Sequence, residues 1–469
     1  MINRRNFIKG IMAAAALPSL TVSKSYASAA KVENMLAVPP LLEKTRSGGV
    51  SRFSISVQEG VSEFVKGSPV NTLGYNGNLL GKTIRAKKGE KVSISVKNNL
   101  KEHTTTHWHG LLVPGNMDGG PHQVIKPGET WNASFTIEQP AATAWYHPHG
   151  DGNTASQVYK GLGGLFLLDD ENSAKLDIPD EYGVNDVPLV IQDRLFSEDG
   201  QIHYLTSRQD YIFGMKGNKV LVNGVLEPTF EAPKGKVRFR ILNGSNARTY
   251  NLYFSNKQSF DIIASDGGFL PKPAKMNSIR ISPGERYEII ADFSAHKPGS
   301  EIYLADSGYN FMKVIVSSKK GFTGALPEKL AEYDPADMSK VVASRRFYMN
   351  GMGNMVNING RRMDMRRINE YMTLGTTEIW NVVSRMGMMR GGSSDILHNF
   401  HAHGTLFKVI SRNGKPPAPE ERGWKDTVAL PDNEVVQLMA SFNHKGIFMY
   451  HCHILEHEDR GMMGQYIVK

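Results

Sequence analysis

Apolar and polar residues alternate in short runs along this chain. Lys91-Val92-Ser93-Ile94-Ser95-Val96, Lys236-Val237-Arg238-Phe239-Arg240-Ile241 and Thr377-Glu378-Ile379-Trp380-Asn381-Val382 are three of them. A period of two predicts half-buried β-strands, because successive side chains on a strand point to opposite faces. Gly, Pro and Asn interrupt the runs at short intervals, and long stretches of helical period are scarce. Many short strands between turn residues predict an all-β fold built of sandwiches.

The three runs are also copies of one unit. Each follows an Asn-Gly turn, at Asn76-Gly77, Asn223-Gly224 and Asn359-Gly360, with a second glycine at Gly89, Gly235 or Gly375. A further echo links Ile125-Lys126-Pro127-Gly128-Glu129 to Ile281-Ser282-Pro283-Gly284-Glu285, and both lead into strand patterns. Repeats at roughly 140-residue intervals predict three Greek-key β-sandwich domains. Their expected spans are 45–172, 183–318 and 340–469, with a linker around 318–340.

Residues 1–29 stand outside this pattern. Asn3-Arg4-Arg5-Asn6-Phe7-Ile8-Lys9 resembles a twin-arginine export signal, followed by an apolar stretch from Ile11 to Leu20 and a small-residue site at Ala27-Ser28-Ala29. The stretch is too short to span a bilayer, so a periplasmic protein with no membrane span is expected. The segment carries Arg4, Arg5, Lys9 and Lys24 and no acid, within a chain of net charge +9. Without it the charge is about +5, too mild and too dispersed to predict nucleic-acid binding. With one cysteine in 469 residues, no internal disulfide forms.

That cysteine lies in His451-Cys452-His453, followed by His457 and Met462. Upstream stands His398-Asn399-Phe400-His401-Ala402-His403, and the first unit holds the pairs His107/His109 and His147/His149. The repeats align Tyr146-His147-Pro148-His149 with Tyr450-His451-Cys452-His453, so Pro148 stands where Cys452 stands. The middle unit has Tyr303-Leu304-Ala305-Asp306 there and is expected to bind no metal. On a strand, His451 and His453 face one way and Cys452 the other, so one strand can serve two metal sites. Four His-x-His pairs then offer eight imidazoles on converging faces, a supply suited to several metal ions. Strands are expected to carry them, since strands hold ligand geometry better than loops. His398, Cys452, His457 and Met462 remain, and two imidazoles, a thiolate and a weak thioether make a one-electron copper site. Structural zinc favours more cysteines. A single His-x-His is weak evidence, but four in matching positions of two repeats leave little room for packing histidines. His103, His122, His203, His296 and His444 lack the pattern and read as ordinary polar residues.

These runs resemble the four copper motifs of three-domain multicopper oxidases, over the chain from about residue 45 to its end. Bacterial periplasmic copper-efflux (cuprous) oxidases are the most similar group, with laccases next. The resemblance implies three cupredoxin-like domains and four copper ions. A type 1 copper would be held by His398, Cys452, His457 and Met462. A type 2 copper would take His107 and His401. One type 3 copper would take His109, His147 and His453, and the other His149, His403 and His451. The family's acidic proton donors match Asp118 and Glu458. The implied reaction passes electrons from the type 1 copper through Cys452 to the cluster, where O2 becomes water.

The reducing partner is less legible. Met349, Met352, Met355, Met363, Met365, Met372, Met386, Met388 and Met389 precede the type 1 motif. Thioethers suit Cu(I), although methionines also fill irregular cores. Cuprous oxidases place an Asp and a Met before His-x-x-His-x-His. Here Asp395 stands closer and lacks that Met, so a substrate copper would use Asp395 with Met386, Met388 and Met389. Cu(I) is the expected substrate, with a small phenol or another metal ion as the alternative. A non-enzymatic copper store or cell-division scaffold is a third reading. A monomer is expected.

Overall fold

The computed structural model describes residues 34–333, 336–385 and 398–469. The export segment, Met386, Met388, Met389 and Asp395 lie outside the described residues. Strands dominate. Lys91–Asn98 buries Val92, Ile94 and Val96 and leaves Ser93 and Ser95 partly open, as the alternation requires. Among the described residues the strands pair into sheets of six and four, eight and five, and six and five strands, two sheets to each repeat. Each repeat closes over its own apolar core, around Trp108 and Phe166, around Phe239 and Phe254, and around Trp380 and Phe400. Each large apolar side chain buried this way contributes about 1.5–3 kcal/mol.

The repeat seen in the sequence is a repeat of topology. The opening strand of each unit runs parallel to the strand after its Asn-Gly turn: Val50–Val65 with Lys91–Asn98, Asp186–Phe196 with Lys236–Asn243, and Val341–Asn350 with Thr377–Arg385. Parallel neighbours need a crossover, and here the chain makes it through the opposite sheet. Asn76, Asn223 and Asn359 explain their own recurrence. All three have positive φ, near 57°, 52° and 53°. Each carboxamide bonds back to the opening strand: Ser56 N–H and Ser54 C=O for Asn76, Val190 and Pro188 for Asn223, Tyr348 and Arg346 for Asn359. Asparagine tolerates the left-handed backbone and supplies both bonds.

The linker differs from expectation. The strand Tyr309–Lys320 runs past residue 318, and Leu330 is buried against Ile178, Ile263 and Phe269. An apolar anchor packs this segment onto the body. The helices are short: α1 (Thr154–Lys160), α2 (Arg208–Phe213) and α3 (Leu455–Asp459). Helix α1 touches α3, and α2 packs on the 3-10 turn Gly353–Met355. Among the described residues no helix is long and apolar enough to cross a membrane.

Candidate metal centres

Strand register brings the histidines together. His107 pairs across the sheet with His147, and His401 with His451. Side chains directly opposite on antiparallel strands are near neighbours. The first and third units then meet ring to ring, with His107 stacked on His403 at 3.7 Å and His109 on His401 at 3.8 Å. All eight imidazoles are buried. Only the pair His107–His109 lies wholly within a strand. His149, His403 and His453 sit just past strand ends, and His457 sits on α3. The backbone there must leave its ladder to turn toward the facing unit, and Pro148 has no N–H to continue one.

The donor sets fit metal ions. His149 Nε2 and His403 Nε2 lie 3.0 and 3.1 Å from His451 Nε2. The opposite nitrogens of two of these rings are engaged, His403 Nδ1 on Asp118 Oδ2 at 2.7 Å and His451 Nδ1 on the Cys452 carbonyl at 3.0 Å. With Nδ1 donating to an oxygen, the lone pairs of His403 and His451 face each other at Nε2, and that geometry asks for a cation. Burial, reinforced by the neighbouring imidazoles, holds His149 and His403 well below the usual histidine pKa, which keeps both rings neutral.

A second group gathers His109 and His147 with His107. His109 Nε2 donates to Asp426 Oδ1 at 3.0 Å, which turns Nδ1 toward His147 Nε2, 3.4 Å away. The His453 ring lies 5.0 Å from His109 and 5.3 Å from His147, and neither of its nitrogens has a partner. His107 and His401 repeat the logic. Each gives Nδ1–H to a backbone carbonyl, of Asp118 at 2.9 Å and of Asp426 at 2.8 Å, and each keeps a buried Nε2 without a partner. Orphaned buried nitrogens are costly unless something binds them.

Cys452 opens the other way. Its Sγ lies 3.8 Å from His398 Nδ1 and 3.9 Å from His457 Nδ1. His457 Nε2 donates to the Ile212 carbonyl on α2 at 2.9 Å, which leaves the Nδ1 lone pair beside the sulfur. Met462 is buried alongside, its carbonyl accepting from Cys452 N–H and its N–H donating to the His457 carbonyl. Burial pushes the Cys452 thiol up to about 12, so a bound metal ion would displace its proton.

The matched acids lie close by. Asp118 accepts from His403, and Glu458 stands between two rings, 3.2 Å from His451 Nδ1 and 3.7 Å from His149 Nδ1. Sequence reasoning missed Asp426 and Arg286. Asp426 serves His109 by its side chain and His401 by its carbonyl. Burial opposes its charge, but Arg286 and then His109 outweigh burial and hold the carboxyl well below the usual range. Arg286 comes from the middle unit, directly after the Pro283-Gly284-Glu285 echo. Gly284, at φ near 82°, sits so close to His453 that a Cβ would lie 2.9 Å from its ring. That echo was the available signal, since it marked a turn the middle unit keeps without a His-x-His pair.

Models described as "Multicopper oxidase" match residues 56–173, 181–321 and 334–469. The multicopper oxidase mco of Staphylococcus haemolyticus is 43% identical, with 92% of this chain and 92% of that protein covered. The cell division protein FtsP of Shigella dysenteriae is 35% identical over 100% of this chain and 99% of that protein. Among solved structures, a laccase-like multicopper oxidase CueO from Ochrobactrum sp., with oxidase activity towards lignin model compounds, superposes with a TM-score of 0.84 at 37% identity. That match covers 92% of this chain and 100% of the other.

Proposed function

This chain belongs to the multicopper oxidase family, and from that premise we propose that it couples one-electron oxidation of Cu(I) to reduction of O2. The observation that carries the reading is the placement of Cys452 between two imidazoles. Its sulfur faces His398 and His457, while His451 and His453 face the histidine cluster. Four copper ions, when bound, would supply a one-electron acceptor at Cys452 and a three-metal centre able to reduce O2 to two waters. His398, Cys452, His457 and Met462 would hold the first. His107 and His401 would hold one ion of the cluster, His109, His147 and His453 the second, and His149, His403 and His451 the third.

The chain's own groups do the rest. Buried backbone carbonyls and Asp118 fix the imidazole tautomers before metal arrives. Glu458, fully enclosed beside His149 and His451, is placed to pass protons toward the cluster, with Asp118 on its other flank. Thioethers near α2 support Cu(I) as the donor, Met352 buried and Met355 67% exposed on the turn that packs against it. Likeness to the Ochrobactrum enzyme favours a second reading, oxidation of phenols. Likeness to FtsP raises a scaffold role, against which stands the intact set of copper-binding side chains. The twin-arginine pattern supports a periplasmic location. The test is O2 uptake by copper-loaded protein with Cu(I) and with a phenol. Faster uptake with Cu(I) is expected, and no uptake with either donor defeats the proposal.

A further inference from the structure

Asn399 stands beside the Cys452 sulfur and reaches two units at once. It follows His398 on the strand His398–Ala402 and is fully buried. Its Oδ1 accepts the His453 N–H at 2.6 Å. Its Nδ2 donates to the Pro283 carbonyl at 2.8 Å and to Ser282 Oγ at 3.2 Å, both in the middle unit. The same Oδ1 lies 3.6 Å from Cys452 Sγ, nearer than the His398 and His457 nitrogens at 3.8 and 3.9 Å. One carboxamide thus touches the sulfur, the segment that leaves it toward the histidine cluster, and a turn of the unit without a His-x-His pair.

These partners fix which way the amide points. Turned over, Nδ2 would press its hydrogens on the His453 N–H and Oδ1 would meet the Pro283 carbonyl, donor on donor and acceptor on acceptor. The turn it grips is itself held. Ser282 N–H donates to Glu285 Oε2 at 2.7 Å, Gly284 N–H donates to the Asn243 carbonyl at 2.9 Å, and Lys425 pairs with Glu285 at 3.1 Å. His453 is therefore held at its backbone by Asn399 and crowded at its ring by Gly284.

An amide oxygen is the negative end of a dipole. A thiol can donate to it, but a metal-bound thiolate has no proton to give, and the oxygen then opposes electron density arriving at the sulfur. Polar groups around the cysteine sulfur set the potential of such a site. Backbone hydrogen bonds from Asn399 and Ile454 also reach the sulfur, and they remain whatever side chain stands at position 399.

We propose that Asn399 is a positioning residue for electron transfer. Its carboxamide ties the Cys452–His453 segment to the Ser282-Pro283 turn and holds a fixed dipole against the sulfur, which lowers the reduction potential of the Cys452 site. The proposal rests on the reading of Cys452 as the point of electron entry. Through Asn399 the middle unit takes part in setting that potential.

The experiment titrates the blue absorption of the copper-loaded full chain against a one-electron mediator, in the parent, in Asn399→Leu and in Asn399→Ser. Leucine keeps the volume and removes the oxygen and the bonds to both units. Serine is too short for these partners and adds no apolar surface. Both variants should favour the reduced site by about threefold or more in the equilibrium constant, with copper content unchanged. In the metal-free chain, exchange of the His453 amide hydrogen should quicken by about threefold or more, as expected for one lost hydrogen bond. A potential that stays or falls in a folded, loaded variant overturns the dipole, and unchanged His453 exchange overturns the clamp. Failure of both variants to fold makes Asn399 structural only and overturns the proposal too. A parent with neither blue absorption nor turnover sinks the reading of Cys452 itself, whereas a blue, active parent indifferent to Asn399 sinks only the role of the carboxamide.

Discussion

Arg286 of the middle unit grips Asp426 of the third in a two-pronged ion pair, Nη1 to Oδ1 at 2.7 Å and Nη2 to Oδ2 at 2.6 Å. The same guanidinium donates to the Thr143 carbonyl in the first unit and to the Asp266 and Gly284 carbonyls in its own. Asp426 in turn orients His109 and His401. Lysine cannot reproduce the fork. Arg286→Lys should fold, keep the blue absorption at Cys452 and lose copper from the cluster, read by metal analysis and electron spin resonance. Arg286→Met leaves the buried Asp426 without its guanidinium partner and should cost about 3–5 kcal/mol in denaturant unfolding. Full copper content in both variants would show that the pair is structural only.

Cys452→Ser should remove the blue absorption and turnover together. Serine is a hard ligand with no soft, covalent path to His451 and His453. The eight cluster imidazoles stay in place, so bound copper should fall by the single ion at Cys452. Measured activity near that of the parent would refute the assignment.

Glu458→Gln removes the proton without moving the side chain. Turnover should fall by roughly 10²–10⁴, the usual range for losing a positioned acid or base, while copper content and blue absorption hold. Asp118→Asn should act more weakly on turnover and also disturb copper retention, because Asp118 is hydrogen-bonded to His403. Stopped-flow O2 consumption separates the two.

Acid should unfold the metal-free protein early. Burial lowers His401 and His457 from 6.5 to about 4. Below 6.5 the unfolded chain binds protons that the native state refuses, so stability falls as the pH falls through that window, and the part due to these two residues levels off near the lower value. Each histidine accounts for on the order of 3 kcal/mol across it. Thermal unfolding between pH 7 and pH 4 checks the slope. A flat melting temperature over that range would contradict it.

Most of this was legible in the sequence because it is written in period two. Alternation gave the strands, the Asn-Gly turns gave three units, and the histidine spacing marked the imidazoles that the register of His107 with His147 and of His401 with His451 then brings together. What stayed hidden acts across units. Asp426 belongs to no motif, and its value lies in partners from the other two units. Arg286 looked like one more strand residue after a turn. The cap on His457 by Ile212 was equally silent, since α2 is a short helix in the unit without a His-x-His pair. Local pattern reports what a residue's own element does, and these contacts are made by other elements.

The two imidazole stacks, His107 on His403 and His109 on His401, set an order of events in the life of the molecule. Their partners are synthesised far apart in time, one near the start of the chain and the other near its end. No intermediate length of nascent chain holds a complete cluster. A site that needs side chains from both stacks can take up a metal ion only once the third sandwich has closed onto the first. A chain cut before His451 keeps His107, His109 and His147 together in its first sandwich but lacks the group of His149, His403 and His451. Completeness of the chain is thus written into the geometry, since His149 meets His403 and His451 only when both end sandwiches are present.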